Sequence, residues 1–183
     1  MENLAADYSE EEIIIYAGFW RRFAAQLIDG LLLGILVFPL TWYDLIVWKN
    51  YPLYIITSIL SALYKPLMEY KYGATWGKMA MSVRCVNADY EKLSLSQAFG
   101  RNMVFLVPGI LMVILNYFIF ASSGFAQANT FIEVGQCINQ FSALSWTNNL
   151  YGLFLLVDAI VLGTDGRKRS LHDKWANTYV IKS

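Results

Sequence analysis

The sequence contains few charged residues. They make up 15% of the 183 residues, whereas about 25% is typical of soluble domains. Apolar residues reach 57%, so a soluble domain of this length would have too little charge to cover its surface. The scarcity of charge therefore favours a membrane protein over a small soluble enzyme.

Histidine and cysteine are scarcer still. A single histidine, His172, excludes a metal site built from several histidines, and two cysteines exclude a disulfide-rich secreted scaffold. The segment Gly73–Lys78 has one residue too few between its glycines for a P-loop. We therefore predict no enzyme activity, no cofactor, no bound metal and no nucleic-acid partner.

Four long apolar intervals separate the clusters of charge. A membrane-crossing helix needs about 20 mostly apolar residues, and each interval approaches or reaches that length. We predict one domain, residues 1–183, of the all-α membrane class. It is a four-helix transmembrane bundle with spans at about 23–43, 51–69, 102–120 and 149–164.

Basic residues lie almost entirely on one side of these predicted spans. Thirteen of the 14 Lys and Arg flank the same helix ends, and Lys49 alone lies on the other side. Because cytoplasmic segments are enriched in Lys and Arg, we predict that both termini are cytoplasmic. Residues 1–15 form an acidic tail, which is unlike the basic start of a signal peptide.

The segments between the spans carry weaker patterns. Residues 121–148 are a predicted external loop, in which apolar residues at helical spacing favour an interfacial helix over a loop that covers the helix ends. On the cytoplasmic side, Met81–Val86 and Thr178–Lys182 are predicted strands that pair beneath the bundle. Ser94 and Gln97 have the spacing of a capping box and predict a helix start.

Three blocks of the sequence resemble the RDD family of bacterial membrane proteins. They are YAGFWRRFAAQLIDGLLL at 16–33, with Arg22 and Asp29, GATWGKMAMSVRCV at 73–86, and RSLHDKWANTYVI at 169–181, with Asp173. Trp76 stands where we expect a proline in this family. The resemblance implies a multi-pass protein of the bacterial cytoplasmic membrane. Some members of the family look like cation/proton antiporters and others look like accessory subunits.

Two carboxylates lie inside the predicted spans, where a charge is costly and commonly marks a functional path. Arg22, Gln26 and Asp29 follow i, i+4, i+7 spacing, so they share one helix face. Asp158 lies at a similar depth, because its span runs in the opposite direction. We predict that Asp29 and Asp158 meet across the bundle and bind a proton or a cation.

Supporting roles are assigned to polar residues in the second and third spans. We expect Lys65 to pair with Glu69, one helical turn later. Pro66 between them is expected to kink or loosen the helix. Asn116 is expected to hydrogen-bond to a neighbouring helix.

The C-terminal block contributes a second set of supporting residues. We predict that His172 lies at the membrane interface and that Asp173 caps a helix or pairs with the basic cluster at 167–174. Asp173 and this basic cluster, which includes Lys174, form a predicted cytoplasmic gate or its support.

Two functional hypotheses follow from these residues. The first is proton-coupled transport of monovalent cations, with Asp29 and Asp158 as the binding carboxylates. Four spans are few for a monomeric transporter, so this hypothesis also predicts a homo-oligomer in the lipid bilayer. In the second, Asp29 forms a permanent ion pair with Arg22, Lys174 or another base. The protein is then a non-catalytic subunit or assembly factor that binds other membrane proteins.

Overall fold

A computed structural model describes residues 14–183, and these residues are mostly helical. The acidic part of the predicted tail lies outside the described residues. In chain order the helices are α1 (Phe19–Tyr43), α2 (Tyr51–Tyr72), α3 (Trp76–Ala80), α4 (Leu95–Phe120), α5 (Ser123–Gln127), α6 (Phe131–Asn139), α7 (Ser142–Thr164) and α8 (Leu171–Trp175). A π-helical turn, Asp44–Trp48, follows α1, and the strands are β1 (Val83–Val86) and β2 (Tyr179–Lys182).

Three of the helical segments are long and apolar enough to cross a membrane. They are α1 with its π-helical turn (30 residues), α4 (26 residues) and α7 (23 residues). At 1.5 Å per residue each exceeds the roughly 30 Å of a bilayer's hydrocarbon core. Large apolar side chains along them are exposed, among them Leu31, Ile35, Ile110 and Ile160. An apolar surface of this extent is typical of a protein that faces lipid.

Helix α2 forms where the sequence predicts the second span, but its composition differs from that of the other three. It is 22 residues long, which is about 33 Å, yet it is not apolar enough to rank with them. Lys65, Glu69 and Lys71 make its final turns polar. Helix α2 runs without a break through Pro66, and the kink or loosening expected there stays a prediction. The four-span arrangement and its orientation therefore remain predictions.

The helix start predicted at Ser94 is confirmed. Gln97 N–H donates to the Ser94 hydroxyl at 3.2 Å, and the Gln97 side chain accepts from Ser94 N–H at 3.0 Å. Helix α4 begins at Leu95 and continues through Arg101 into the predicted third span. Helix α7 begins at Ser142, earlier than the start near 149 that the sequence predicted.

The segment predicted as an external loop is largely helical. It contains α5, α6 and the first turns of α7, so the predicted helix is present. Its Val134 is buried against Ile119 and Phe125 in an apolar cluster, and Phe131 stacks on Trp42 with ring centres 4.8 Å apart. Helix α6 therefore covers one end of the long helices, and its position at the membrane interface stays a prediction.

The predicted strand pair is confirmed. Strands β1 and β2 are antiparallel, with Val83 opposite Lys182 and Val86 opposite Tyr179. The extended residues 14–17 join the far side of β2, where Ala17 N–H donates to Val180 C=O at 2.9 Å. We call residues 14–17, α3, β1, α8 and β2 the cap, since they cover the end of the bundle opposite α6.

Helix α3 packs against α1 at very close range. Thr75 caps α3, because its hydroxyl accepts from Lys78 N–H at 3.3 Å. A β-carbon on Gly77 would collide with the backbone carbonyl of Ala25 in α1. Glycine at this position therefore permits the contact that joins α3 to the first long helix.

We expect Gly77→Ala to lower the free energy of unfolding by about 1–3 kcal/mol, because the added methyl group overpacks the α1–α3 contact. Gly163→Ala in α7 is the matched control, since a β-carbon there meets nothing within 4 Å. Denaturant titration of both purified variants in detergent micelles measures the change. Equal stability of the two variants would contradict the close packing.

Candidate functional site

A chain of buried and partly buried charges joins the cap to the long helices. It consists of Arg22 in α1, Glu69 in α2, Lys78 in α3, Arg101 in α4 and Asp173 in α8. We call these five residues the ionic network. Charges removed from water are tolerated when each one is paired and hydrogen-bonded. The network therefore holds five helices in one arrangement.

Asp173 lies between Arg22 and Arg101 in the ionic network and is fully buried. One carboxylate oxygen accepts from Arg22, and the other accepts from Arg101 Nη2 at 2.7 Å. Burial alone would raise the pKa of Asp173, but the guanidinium groups of Arg22 and Arg101 hold it well below its usual range. Asp173 is therefore ionised at neutral pH.

Asp173 both caps a helix and pairs with bases, the two roles that the sequence offered as alternatives. Its basic partners differ from the predicted ones. Ser170 N–H donates to its carboxylate at 3.3 Å, which fixes the start of α8. The basic side chains that pair with Asp173 are Arg22 and Arg101, and both lie outside the 167–174 cluster. Lys174 instead pairs with Asp165 at 2.9 Å.

Glu69 forms the second acidic centre of the ionic network. It accepts hydrogen bonds from Lys78 Nζ and, at 2.8 Å, from Asn102 Nδ2. Arg101 Nε lies 3.4 Å from the same carboxylate. The expected local pair with Lys65 does not form, because the Lys65 ammonium lies over the Phe105 ring, 4.4 Å from its centre.

The ionic network contains one more base than acid. Arg22, Lys78 and Arg101 carry three positive charges, and Glu69 and Asp173 carry two negative ones. Arg101 is 2% exposed, and its Nη1 is buried with no hydrogen-bond partner among residues 14–183. A buried guanidinium nitrogen without an acceptor is energetically costly, so the network presents one unmatched donor.

Asp29 forms a separate cluster with uncharged donors. Its carboxylate accepts from the Thr75 hydroxyl at 2.6 Å, the Tyr64 hydroxyl at 2.8 Å and Gly77 N–H at 2.8 Å. Arg22, seven residues earlier, forms its ion pair with Asp173 and not with Asp29. The expected ion pair of Asp29 with Arg22 or Lys174 is therefore replaced by hydrogen bonds that tie α1 to α2 and α3.

Asp158 pairs with the only histidine of the chain. Its carboxylate lies 3.0 Å from His172 Nδ1 and accepts from His172 N–H at 3.4 Å. The structure thus gives Asp158 and Asp29 separate partners, in contrast to the predicted shared site. His172 also lies 3.6 Å from Asp173, which places the pair beside the ionic network.

A cavity of about 310 Å³ opens where α1, α4 and α7 meet α8. Its polar wall contains Arg22, Gln26, Lys78, Arg101, Asp158 and His172. A much smaller pocket of about 20 Å³ lies deeper, against Asp29 and Glu69. We call the larger space the basal cavity, since it lies at the cap end of the bundle.

One predicted site residue lies far from this region of the fold. Asn116 Nδ2 donates to the carbonyl of Met112 in its own helix at 2.8 Å, where we expected a bond to a neighbouring helix. No group of three or more His, Cys, Asp or Glu side chains suited to a metal occurs in the described part of the chain, residues 14–183.

Five side chains that contact the acidic groups of the site were absent from the sequence-based candidates, and Asn102, which donates to Glu69, is one of them. Lys78 and Arg101 were treated as charges that set orientation, and Tyr64 and Thr75 were not singled out. The capping box at Ser94 is a signal that places Arg101 in the second turn of α4. No local pattern connects Tyr64 or Thr75 with Asp29, which lies 35 and 46 residues away.

Comparison with known proteins gives two matches. The sequence model of the RDD family matches residues 16–177, a range that contains Arg22, Asp29 and Asp173. The uncharacterized protein YxaI of Bacillus subtilis (strain 168) is 26% identical over 122 residues, which cover 54% of this chain and 81% of YxaI.

We expect Asp173→Asn to lower the free energy of unfolding by about 3–5 kcal/mol, because it leaves Arg22 and Arg101 buried without their shared carboxylate. Asp89→Asn, at an exposed position, is the control and should change stability by less than about 0.5 kcal/mol. Denaturant titrations at pH 7 compare the two variants. A loss at Asp173 no larger than that at Asp89 would contradict the role of the network.

The stability contributed by Asp173 should depend on pH in a defined direction. Its folded-state pKa is lowered from an ordinary value of 3.8, so its contribution is fully present above that value and is lost as the pH falls below it. The stability difference between the parent and Asp173→Asn should be constant from pH 7 to about 5 and shrink below about 4. A difference that grows on acidification would exclude this linkage.

Proposed function

Because the chain belongs to the RDD family, we propose that it is a non-catalytic subunit or assembly factor that acts on other membrane proteins. The protein is a membrane protein with apolar helices. The observation that carries the proposal is that Arg22, Asp29 and Asp173 are all engaged by other groups of the same chain. Charged residues that are paired within the chain hold its helices together and leave no free group for a substrate.

The pairing of Asp173 argues against exchange of a cation at this position. A transported cation would have to replace Arg22 or Arg101 at a fully buried carboxylate. Removal of one partner from a buried ion pair costs about 3–5 kcal/mol. The ionic network is therefore better suited to a permanent joint between α1, α4 and α8 than to a site that opens in each cycle.

The surroundings of Asp29 support the same conclusion. Three donors occupy its carboxylate, which offers about four lone-pair positions. Two of these donors, Thr75 and Gly77, belong to the short helix that packs against α1. Asp29 thus positions the cap element α3, and its burial inside the bundle is explained without a transported ion.

We further propose that four helices cross the bacterial cytoplasmic membrane, with the cap on the cytoplasmic side. In support, α2 is about as long as the hydrocarbon core is thick, and its polar end reaches the ionic network through Glu69. Lys49 lies at the opposite end, where its ammonium contacts the Ala126 carbonyl at 2.7 Å. A single lysine at this end and many basic residues at the cap end agree with the enrichment of Lys and Arg in cytoplasmic segments of membrane proteins.

One observation favours proton-coupled cation transport by a homo-oligomer as a second candidate function. Asp158 and His172 both line the basal cavity, and the Asp158 carboxylate lies 3.0 Å from His172 Nδ1. In that case the exchanging pair would be Asp158 and His172, with Asp29 in a structural role. In this second candidate function the cation-binding carboxylate is therefore Asp158, whereas the sequence favoured Asp29.

Proton flux in proteoliposomes distinguishes the two candidates. Vesicles that contain the purified parent, Asp158→Asn or Asp29→Asn are challenged with sodium, lithium and potassium gradients. We expect no cation-dependent proton flux from any of the three, because the buried charges are permanently paired. We also expect Asp29→Asn to unfold more readily than Asp158→Asn, since it weakens three buried hydrogen bonds.

Flux from the parent that disappears in Asp158→Asn, with the variant still folded and inserted, would refute the non-catalytic proposal and establish transport at the basal cavity. The subunit proposal requires two results. The parent shows no cation-dependent proton flux in tight vesicles, and the protein cross-links to a defined membrane partner in native membranes.

A further inference from the structure

Helix α8 of the cap lies beside α7 and not below its end. The ring centre of Trp175 in α8 is 6.1 Å from that of Phe154 in α7. Phe154 is ten residues before the end of α7, which is about 15 Å along the helix. His172 of α8 contacts Asp158, six residues before the same end. The chain therefore turns after α7 and runs back along it.

Helix α3 reaches a similar level from the other side of the cap. The ring centre of Trp76 is 5.4 Å from that of Tyr64 in α2, eight residues or about 12 Å before the end of that helix. Gly77 N–H donates to Asp29 at 2.8 Å, and Asp29 is ten residues or about 15 Å after the start of α1. Both short helices thus reach about 12–15 Å past the ends of the long helices.

This level lies inside a bilayer that α7 crosses. Helix α7 has 23 residues, so it is about 34 Å long. It exceeds the hydrocarbon core, which is roughly 30 Å thick, by only about 4 Å. A point about 15 Å from the end of α7 therefore lies at least about 11 Å inside the hydrocarbon core.

The backbone of both short helices is suited to this position. In lipid every backbone polar group needs a partner within the protein, and the first N–H groups of a helix have none in the helix itself. Trp76 N–H of α3 donates to the Tyr64 hydroxyl at 3.1 Å, and residues 73–75 before it are buried. His172 N–H of α8 donates to the Asp158 carboxylate at 3.4 Å. Side chains of the long helices thus take the place of water at both helix starts.

The charged side chains of the two helices have partners within the protein. In α3, Lys78 pairs with Glu69. In α8, Asp173 is buried in the ionic network, and the Lys174 ammonium lies 2.9 Å from Asp165. Asp165 directly follows the end of α7, so the long lysine side chain carries its charge back towards the membrane surface.

The outward side of the two helices is apolar. Trp76 and Trp175 are 46% and 66% exposed. Leu150 and Val157, one helical turn on either side of Phe154, are exposed as well. The Trp175 ring therefore continues the apolar surface that α7 presents to lipid.

We infer that α3 and α8 are re-entrant helices that lie within the lipid leaflet on the cap side, with Trp76 and Trp175 against the acyl chains. The strand pair, which carries the exposed Arg84, stays on the aqueous side. Asp29 and Asp158 then share one role, since each carboxylate accepts from the first turn of a re-entrant helix.

This inference rests on the long helices crossing the membrane and does not depend on the proposed role as a subunit. A subunit and a transporter would both place α3 and α8 at the same depth. The depth of a tryptophan is measured separately from ion flux and from cross-linking, so failure of one proposal leaves the other intact.

Tryptophan fluorescence of the full chain in proteoliposomes provides the test. Trp76, Trp175 and Trp20 are each replaced singly by phenylalanine, which keeps an aromatic ring, and the emission lost relative to the parent belongs to the replaced residue. Trp20 is the matched control, because it is 76% exposed and is the second residue of α1, at the helix end. Phosphatidylcholine brominated in its acyl chains quenches rings within the leaflet, and iodide on both sides of the vesicles quenches rings that face water.

We expect the emission lost in Trp76→Phe and in Trp175→Phe to be quenched by the brominated lipid and to be insensitive to iodide. The emission lost in Trp20→Phe should be quenched by iodide, since a ring at the helix end lies near the aqueous phase.

Two results would overturn the inference. If iodide quenches Trp76 and Trp175 as strongly as Trp20, α3 and α8 lie in water. If neither quencher reaches the two rings, another protein surface covers them and the contact with lipid is excluded.

Discussion

The arrangement of this fold depends on one buried carboxylate between two guanidinium groups. Asp173 accepts from Arg22 and Arg101 and thereby joins α8 to α1 and α4. Ion pairs gain strength in a low-dielectric interior, where an unpaired charge is also most costly. Because one carboxylate accepts from both guanidinium groups at once, the joint determines where the cap lies against the long helices.

The same constraint extends outward from Asp173. Arg101 of α4 also pairs with Glu69 of α2, and Glu69 pairs with Lys78 of α3. The cap is therefore attached to α2 through α3 as well. Asp29 adds a second attachment through Thr75 and Gly77. These polar contacts supply a specificity that apolar packing in lipid does not supply, since lipid tails are as apolar as the helices themselves.

Sequence reasoning identified the important charges of the site, but it did not identify their partners. Arg22, Asp29 and Asp173 stand out because charge inside or beside an apolar span is costly. Spacing along one helix suggested that Arg22 faces Asp29 and that Lys65 faces Glu69. Such spacing reports only neighbours within a helix. The observed partners come from other elements, up to 151 residues away in the chain.

The sequence by itself determined the features that depend on short-range order. Hydropathy and periodicity predicted the apolar helices, two strands and the capping box at Ser94, because each is set by residues a few positions apart. Only the tertiary structure decided which charges pair, that Gly77 permits α3 to reach α1, and that one nitrogen of the buried Arg101 has no acceptor in the described part of the chain. Those features depend on the distance between elements in space, which local patterns do not encode.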